Sequence, residues 1–269
     1  ETNIPEDEAS PTQPVPTLPV AFASQKIDRD DLFGLTPFDK AWCQAEFDKM
    51  RYEGLYTPPD FREALLFPSA LGGGNWGGAA FDPGSNTLII KAENLASRLR
   101  FEAKGDKADG DVARVDYLTR PLKDTPYAVI GEIFMSPLGI PCTPTPWGTL
   151  AAIDMSSGQM KWQIPLGQVK RFGITVPASF GWGSPNIGGP IITGSGLVFI
   201  AATMDDKIRA IDIESGDELW QAGLPHQGSA IPVTYMANGR QYVVIAAGGT
   251  SRVTDNLGDA IVAFALPED

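Results

Sequence analysis

The chain has 269 residues, of which 43% are hydrophobic and 20% are charged, a composition that supports a sizeable globular core. Its 33 acidic and 21 basic side chains give a formal net charge of −12, which argues against nucleic acid as a partner. The longest apolar runs, GLVFIAA and YVVIAAGG, have the length of strands and fall short of the roughly 20 residues that cross a bilayer.

Residues 1–31 are predicted to be a lead-in without regular structure. The stretch ETNIPEDEASPTQPVPTLP is acidic and rich in proline, which favours an extended or disordered chain. It lacks the basic start and apolar centre of a signal peptide. We therefore expect any export signal or membrane anchor to lie outside this sequence.

Residues 32–74 are predicted to hold a helix and a loop that pack on a larger body. In LTPFDKAWCQAEFDKMRYEG, Thr36 is a suitable cap, Pro37 suits the first turn and Gly54 is the expected stop. The helix should bury an apolar stripe, which comprises Phe38, Trp42, Ala45 and Met50.

From Asn75 to the end of the chain the sequence changes to short β runs separated by Gly, Pro, Asn and Asp. Three stretches read as hairpins, namely WGGAAFDPGSNTLIIKA, GPIITGSGLVFIAAT and IPVTYMANGRQYVVIAAGG. The third contains the Asn-Gly turn signal. Each hairpin leads to a third strand of related pattern, which is GTLAAIDM, DKIRAIDI or DAIVAFAL.

An internal repeat indicates the architecture. AIDMSSGQMKWQ recurs in register as AIDIESGDELWQ, so in two units the third strand is followed by a Ser-Gly turn and a strand that carries Trp. A unit of four antiparallel strands is a propeller blade. We therefore predict an all-β fold over residues 75–269, with about three blades, the last incomplete, and a long insertion at residues 95–146. Closed propellers typically have four to eight blades, so the chain should belong to a larger ring.

The two cysteines, Cys43 and Cys142, do not form a CxxC pair, and with His226 as the single histidine they do not support a zinc site. Two interpretations stay open. The cysteines are either buried free thiols or a disulfide, and a bridge of this length would stabilise the fold by roughly 4 to 5 kcal/mol and indicate an oxidising compartment.

The repeat resembles the tryptophan-docking motif of quinoprotein dehydrogenases, in which Trp162 and Trp220 would pack between neighbouring blades as structural residues. Further stretches, including SPTQPVP, TPFDKAWC, NWGG, FIAATMDDKIRAID and GDAIVAFALP, resemble the carboxy-terminal part of the membrane-bound dehydrogenases that use pyrroloquinoline quinone (PQQ). That group includes glucose and quinate/shikimate dehydrogenases. The resemblance covers nearly the whole chain and is weakest in the insertion.

The resemblance implies an eight-bladed propeller with PQQ on its axis and a divalent cation, calcium or magnesium, beside the quinone. It further implies oxidation of a polyol, sugar or cyclic hydroxy acid in the periplasm, facing the inner membrane, with electrons passed to ubiquinone. Cys43 and Cys142 match family cysteines. The proton-accepting residue is expected in upstream blades of the same protein, so no catalytic residue is assigned to this chain. No metal ligand is assigned either.

Three positions match the family's cofactor site, and a fourth departs from the family at the substrate mouth. Asn75 and Trp76 in NWGG would contact PQQ, where glycines let the backbone approach closely. Asp205 in TMDD matches an acidic position near the cofactor. Thr250 stands where glucose dehydrogenases of this group carry His, which favours quinate, shikimate or another polyol over glucose.

Two other functions remain open on the sequence alone. The chain could be a non-catalytic scaffold or binding propeller of the bacterial envelope, which would have no affinity for PQQ. A propeller that binds carbohydrate without chemistry would use exposed aromatic residues such as Trp147 and Trp182. NWGG, TMDD and the paired cysteines favour the dehydrogenase, since an inert propeller has no need of them.

Overall fold

A computed structural model describes residues 3–5, 8, 10–69, 73–103, 120–171, 174–251, 254 and 256–266. The chain divides into two compact units. The first contains residues 1–16, 23–72 and 94–145, and the second contains residues 17–22, 73–93 and 146–269. The predicted insertion therefore folds with the helical segment that precedes it in the chain.

The described residues form one α-helix, α1, which spans Pro37–Phe47. The strands in chain order are β1 Ala64–Leu66, β2 Ala79–Asp82, β3 Thr87–Glu93, β4 Ser97–Ala103, β5 Arg120–Pro121, β6 Tyr127–Ile133, β7 Gly148–Asp154, β8 Gln159–Pro165, β9 Lys170–Arg171, β10 Ile174–Thr175, β11 Ile191–Ile192, β12 Leu197–Ile200, β13 Lys207–Asp212, β14 Glu218–Gly223, β15 Val233–Ala237, β16 Arg240–Ala247 and β17 Ala260–Phe264. Short 3-10 turns cover Arg29–Asp31 and Ala178–Phe180.

The second unit contains the predicted blades. The first blade has the strand order β2-β3-β7-β8, the second has β11-β12-β13-β14, and the third has β15-β16-β17, all antiparallel. Strand β3 pairs with β7 across the whole insertion, with Thr87 opposite Asp154. Within the described residues the third blade has no fourth strand. The predictions of an all-β fold and of about three blades are confirmed.

Local turn chemistry explains where the strands reverse. Asn238 and Gly239 join β15 to β16 with φ values of 52° and 78°, the left-handed conformations that a two-residue hairpin turn requires. The Asp154 carboxylate accepts the Ser156 N–H at 2.8 Å in the turn between β7 and β8. In the second blade Asp212 repeats this role, so the internal sequence repeat encodes a repeated turn.

The blades bury apolar side chains between them. One apolar cluster lies between the first and second blades, and another lies between the second and third. Many of the side chains that form them come from alternate positions along a strand, which point to the same face of the blade. The first cluster is formed by Ile89, Leu150, Ala152, Leu166, Val198, Ile200, Ala202, Ile211 and Ile213.

Trp162 docks on the neighbouring blade. Its Nε1 donates to the carbonyl oxygen of Ile213 at 2.9 Å, and its ring covers Gly216, where an added Cβ would lie 2.9 Å from Cδ2 of the indole. Trp220, the equivalent residue of the second blade, has edge contacts with Phe199 and Phe264 at 6.4 Å and 5.2 Å between ring centroids. Both tryptophans therefore lie between consecutive blades.

Part of the lead-in has a defined place on the first blade. The Val20 N–H donates to the carbonyl oxygen of Gly158 at 2.8 Å, and the Gln163 side-chain amide donates to that of Phe22 at 2.8 Å. Residues 17–22 thus follow the outer strand β8 as an extended segment of the second unit.

The first unit is built around α1 and a second sheet of order β1-β4-β6-β5. The Asp39 N–H donates to Oγ1 of Thr36 at 3.1 Å, and the Asp39 carboxylate accepts the Leu35 N–H at 3.0 Å, which caps the helix start as predicted. A disulfide joins Cys43 to Cys142, which decides between the two interpretations of the cysteines.

The end of the helix and its buried face differ from the prediction. The helix ends at Phe47, seven positions before Gly54, because the chain turns at Asp48 to bring Met50 into the core of this unit. Of the predicted stripe, Met50 is buried and Trp42 is partly buried against the same core, whereas Phe38 is 87% exposed and Ala45 is exposed. The buried residues of α1 itself are Asp39 and Cys43. The helix therefore buries the face that carries its capping residue Asp39 and the disulfide-bonded Cys43. Within the described ranges no helix is long and apolar enough to span a bilayer.

Candidate functional site

The four predicted site positions lie on loops at one end of the three blades. Asn75 and Trp76 precede β2, Asp205 lies between β12 and β13, and Thr250 lies between β16 and β17. In an antiparallel blade, the loop that enters the first strand and the loop that joins the second strand to the third emerge at the same end. The fold therefore brings all four to one end of the second unit.

The Asn75–Gly78 loop is held by its own hydrogen bonds. The Gly77 N–H donates to the side-chain oxygen of Asn75 at 3.3 Å, and the Gly78 N–H donates to the Asn75 carbonyl at 2.9 Å. The Asn75 side-chain nitrogen Nδ2 is buried and has no hydrogen-bond partner among the described residues. A buried amide donor without a partner costs roughly 1 to 3 kcal/mol, so it is suited to bind an acceptor that arrives with a ligand.

The glycines of this loop permit a close approach to the second blade. A side chain on Gly77 would overlap the carbonyl oxygen of Gly188, and one on Gly189 would overlap the carbonyl oxygen of Gly77. Trp76, by contrast, exposes 61% of its surface. The loop therefore presents an aromatic ring beside backbone that only glycine allows.

Asp205 is part of a buried polar network. Its carboxylate forms an ion pair with Arg209, and both side chains are 4% exposed. One carboxylate oxygen accepts the Thr203 hydroxyl at 2.6 Å, and the other accepts the Gln168 N–H at 3.0 Å. These bonds fix the loop between β12 and β13. Burial, reinforced by the negative charge of Asp205, raises the pKa of the adjacent Asp206.

Thr250 is half-buried, and its carbonyl oxygen accepts the Thr254 N–H at 3.0 Å. The preceding Gly249 N–H donates to the carbonyl oxygen of Gln227 at 2.9 Å, which joins this loop to the start of the third blade. His226 is partly exposed, and its Nδ1 lies 3.1 Å from the side-chain oxygen of Asn256.

Sequence reasoning missed a buried polar cluster beside the Asn75–Gly78 loop. Lys91 is fully buried in β3 and Glu93 is 2% exposed at its end. Burial lowers the pKa of Lys91 to about 8 and raises the pKa of Glu93 to about 7, while the attraction between the two groups opposes both shifts. The Lys91 ammonium donates to the carbonyl oxygen of Asn186 at 3.0 Å.

A second internal repeat could have revealed Asn186. NIGG at Asn186 matches NWGG at Asn75, and both precede the first strand of a blade. The buried side chains of Asn186, Glu93 and Gln227 each have at least one polar atom without a hydrogen-bond partner among the described residues. Unsatisfied buried polar atoms thus recur on the loops that enter all three blades.

Two features bear on the other candidate functions. Trp147 is 2% exposed and packs edge-on against Trp182, so the prediction that Trp147 offers an exposed face to a sugar is wrong.

In the part of the chain that the structure describes, no group of three or more His, Cys, Asp or Glu side chains could hold a metal ion.

Residues 1–243 match the glucose/ethanol/alcohol dehydrogenase β-propeller domain of the PQQ family. The chain belongs to this family. The match covers most of the sequence, including both copies of the Trp-bearing repeat.

Named relatives of this PQQ-family chain are dehydrogenases. The quinate/shikimate dehydrogenase (quinone) of Acinetobacter baylyi is 40% identical over 98% of this chain and 34% of its own length. The quinoprotein glucose dehydrogenase of Escherichia coli is 37% identical over 98% of the chain and 34% of its length. The glycerol dehydrogenase large subunit of Gluconobacter oxydans is 35% identical over 98% of this chain and 38% of its own length. The chain thus spans about a third of the length of these relatives.

A solved structure supports the fold. The quinohemoprotein alcohol dehydrogenase from Comamonas testosteroni superposes with a TM-score of 0.51 at 21% identity, over 77% of this chain and 29% of that protein. At this identity the likeness shows the propeller fold, in agreement with the blade topology.

Proposed function

We propose that this chain forms part of a PQQ-dependent dehydrogenase that oxidises a polyol, sugar or cyclic hydroxy acid, with quinate or shikimate as the preferred candidates. Upstream blades of the same protein would complete the ring, and ubiquinone would accept the electrons. The active site would face the periplasm. The observation that carries the proposal is the buried side-chain nitrogen Nδ2 of Asn75, which has no hydrogen-bond partner among the described residues and lies on a glycine-rich loop of a chain in this family.

The residues present fit a planar, polyanionic quinone. PQQ bears carboxylates and quinone oxygens, all acceptors, and Nδ2 of Asn75 is a buried donor without an acceptor. The exposed Trp76 ring offers a face on which a planar group can stack. Gly77 keeps the loop close to the second blade because no side chain intervenes.

PQQ, with a calcium or magnesium ion beside it, supplies the two-electron oxidising chemistry when bound. This chain's residues have supporting roles. Asn75 would orient the cofactor by donating a hydrogen bond, and Trp76 would shield one face from water. Asp205 would hold the loop between β12 and β13 through its ion pair with Arg209, rather than contribute a free carboxylate. The proposal assigns no cation ligand and no general base to this chain.

Thr250 supports the choice of substrate class. Its hydroxyl can donate one hydrogen bond and accept others and carries no charge, whereas an imidazole at this place could also bind a proton and become charged. We therefore propose that the substrate differs from glucose. The relative with 40% identity, named for quinate and shikimate, points the same way.

The test is an assay of the protein complete with its upstream blades, reconstituted with PQQ and either calcium or magnesium. Reduction of a ubiquinone analogue is followed with quinate, shikimate, glucose and glycerol at equal concentrations. We expect turnover with the cyclic hydroxy acids, and we expect Thr250→His to change kcat/KM for them by about tenfold, since one substrate hydrogen bond is altered. Binding of PQQ without turnover of any alcohol would refute the dehydrogenase, and absence of PQQ binding would favour a scaffold.

A further inference from the structure

A buried lysine links the first blade to the second beside the candidate site. Lys91, in β3, donates from Nζ to the carbonyl oxygen of Asn186 at 3.0 Å. The Asn186 side chain forms a second hydrogen bond between the same two segments, because its Nδ2 donates to the carbonyl oxygen of Ala92 at 3.0 Å. The same nitrogen also donates to the carbonyl oxygen of Ser184 at 3.1 Å, within its own segment. Lys91 and Asn186 are both 0% exposed. Two hydrogen bonds therefore join the end of β3 to the segment 184–189.

The Asn75–Gly78 loop touches both partners of this link. The Glu93 N–H, at the end of β3, donates to the carbonyl oxygen of Gly73 at 2.8 Å, just before the loop. On the other side, the loop packs directly against the backbone of segment 184–189, because a side chain on Gly77 would overlap the carbonyl oxygen of Gly188 and one on Gly189 would overlap the carbonyl oxygen of Gly77. The separation of β3 and segment 184–189 thus fixes where the loop can lie.

A lysine at this position is costly for stability alone. Burial disfavours the ammonium group, and an apolar residue of similar volume usually fills such a space at no loss of stability. Glu93 provides the opposite charge, yet one of its carboxylate oxygens has no hydrogen-bond partner among the described residues. We therefore attribute to Lys91 a role in fixing the position of the two blades, because its ammonium group binds a backbone carbonyl of the next blade and no apolar side chain could do so.

We propose that Lys91 and Asn186 are positioning residues that hold the Asn75–Gly78 loop in its binding conformation. The effect on PQQ binding rests on the proposed function, whereas the effect on the position of the loop does not. Neither residue needs to touch the cofactor. The link would set the position of the Asn75 amide by fixing the two segments between which its loop runs.

Lys91→Met tests the link, and Lys161→Met is its matched control. Lys161 lies in the same blade and also bridges to the second blade, from Nζ to Glu214 at 2.7 Å, but it does so in the region of the Ser-Gly turns. In the protein without cofactor, amide hydrogen exchange of Gly77 and Gly78 is measured for both variants. We expect Lys91→Met to speed exchange about tenfold or more, because a hydrogen bond from a charged donor is lost, and Lys161→Met to leave it unchanged.

PQQ affinity, read from tryptophan quenching, is the second measurement. We expect Lys91→Met to raise the Kd about tenfold, as loss of a positioning residue does, with kcat at saturating PQQ less affected. Equal exchange in the two variants would overturn the inference. If wild-type protein does not bind PQQ, the proposed function fails, while the exchange result still decides whether Lys91 positions the loop.

The double variant Lys91→Met/Glu93→Gln separates positioning from charge balance. It removes the carboxyl group that Lys91→Met leaves buried without its partner, so we expect it to fold even where the single variant does not. Fast exchange at Gly77 and Gly78 in the double variant supports the inference. Restored protection there would overturn it, because the lysine would then serve only to neutralise Glu93.

Discussion

Replacing Trp162 with Phe isolates the hydrogen bond by which one blade docks on the next. The change keeps an aromatic ring over Gly216 but removes the indole donor to the carbonyl oxygen of Ile213, a residue that is 5% exposed. A buried carbonyl left without its partner costs about 1 to 3 kcal/mol. We expect the free energy of unfolding to fall by about 2 kcal/mol.

Trp220→Phe is the matched control, since Trp220 holds the same place in the repeat. Its contacts in the described part of the chain are with aromatic rings, and Phe can retain them in part. We expect a loss below about 1 kcal/mol, typical of a change that keeps ring packing. Urea unfolding followed by circular dichroism gives both values without relying on tryptophan fluorescence.

Gly216→Ala provides an independent check of the same contact. A Cβ there would lie 2.9 Å from the indole of Trp162, and the backbone φ of 78° is unfavourable for alanine. Because the clash disappears only when the ring itself is removed, Gly216→Ala and Trp162→Ala should couple by about 0.5 to 3 kcal/mol. Equal losses for Trp162→Phe and Trp220→Phe, together with additive behaviour of Trp162 and Gly216, would refute the docking account.

Two further predictions concern stability. Cys43 and Cys142 are 99 positions apart, so replacing both with Ala should lower the free energy of unfolding of the first unit by about 4 to 5 kcal/mol, and an unchanged urea midpoint would contradict this. Burial raises the pKa of Glu93 from 4.5 to about 7, so the folded chain keeps a proton that the unfolded chain releases between these pH values. Stability should therefore fall as pH rises through that range, by at most about 3 kcal/mol, and Glu93→Gln should remove this part of the pH dependence. Parallel pH profiles of the two proteins would show that burial does not raise the pKa of Glu93.

Blade topology was predictable because its signals are local. Strand alternation, the Asn238-Gly239 turn and the Asp-capped turns all depend on residues within a few positions of one another. The repeat then fixed the order of strands, even across an insertion of some fifty residues. The helix start was equally predictable, since Thr36 and Asp39 form a capping pair.

Features that depend on distant contacts were not predictable. The sheet of the first unit pairs β1 with β4 and β4 with β6, and no local signal specifies that Ala64 lies opposite Leu99. The buried face of α1 follows from the partner of Cys43, which lies 99 positions away. For the candidate site, Asn75 and Trp76 were found through resemblance, whereas Lys91 reads from sequence as an ordinary polar position of a strand.

Binding of PQQ to this chain is tested most directly by titrating the protein with PQQ in the presence of calcium or magnesium and following the quenching of tryptophan fluorescence. We expect saturable, metal-dependent quenching that Asn75→Ala weakens about tenfold, since one buried hydrogen bond to the cofactor is lost. Asn86→Gly, which removes an amide from a turn at the other end of the same blade, should bind as the wild type does. An absence of quenching, even with the upstream blades present, would contradict the assignment of this chain to a PQQ-dependent dehydrogenase.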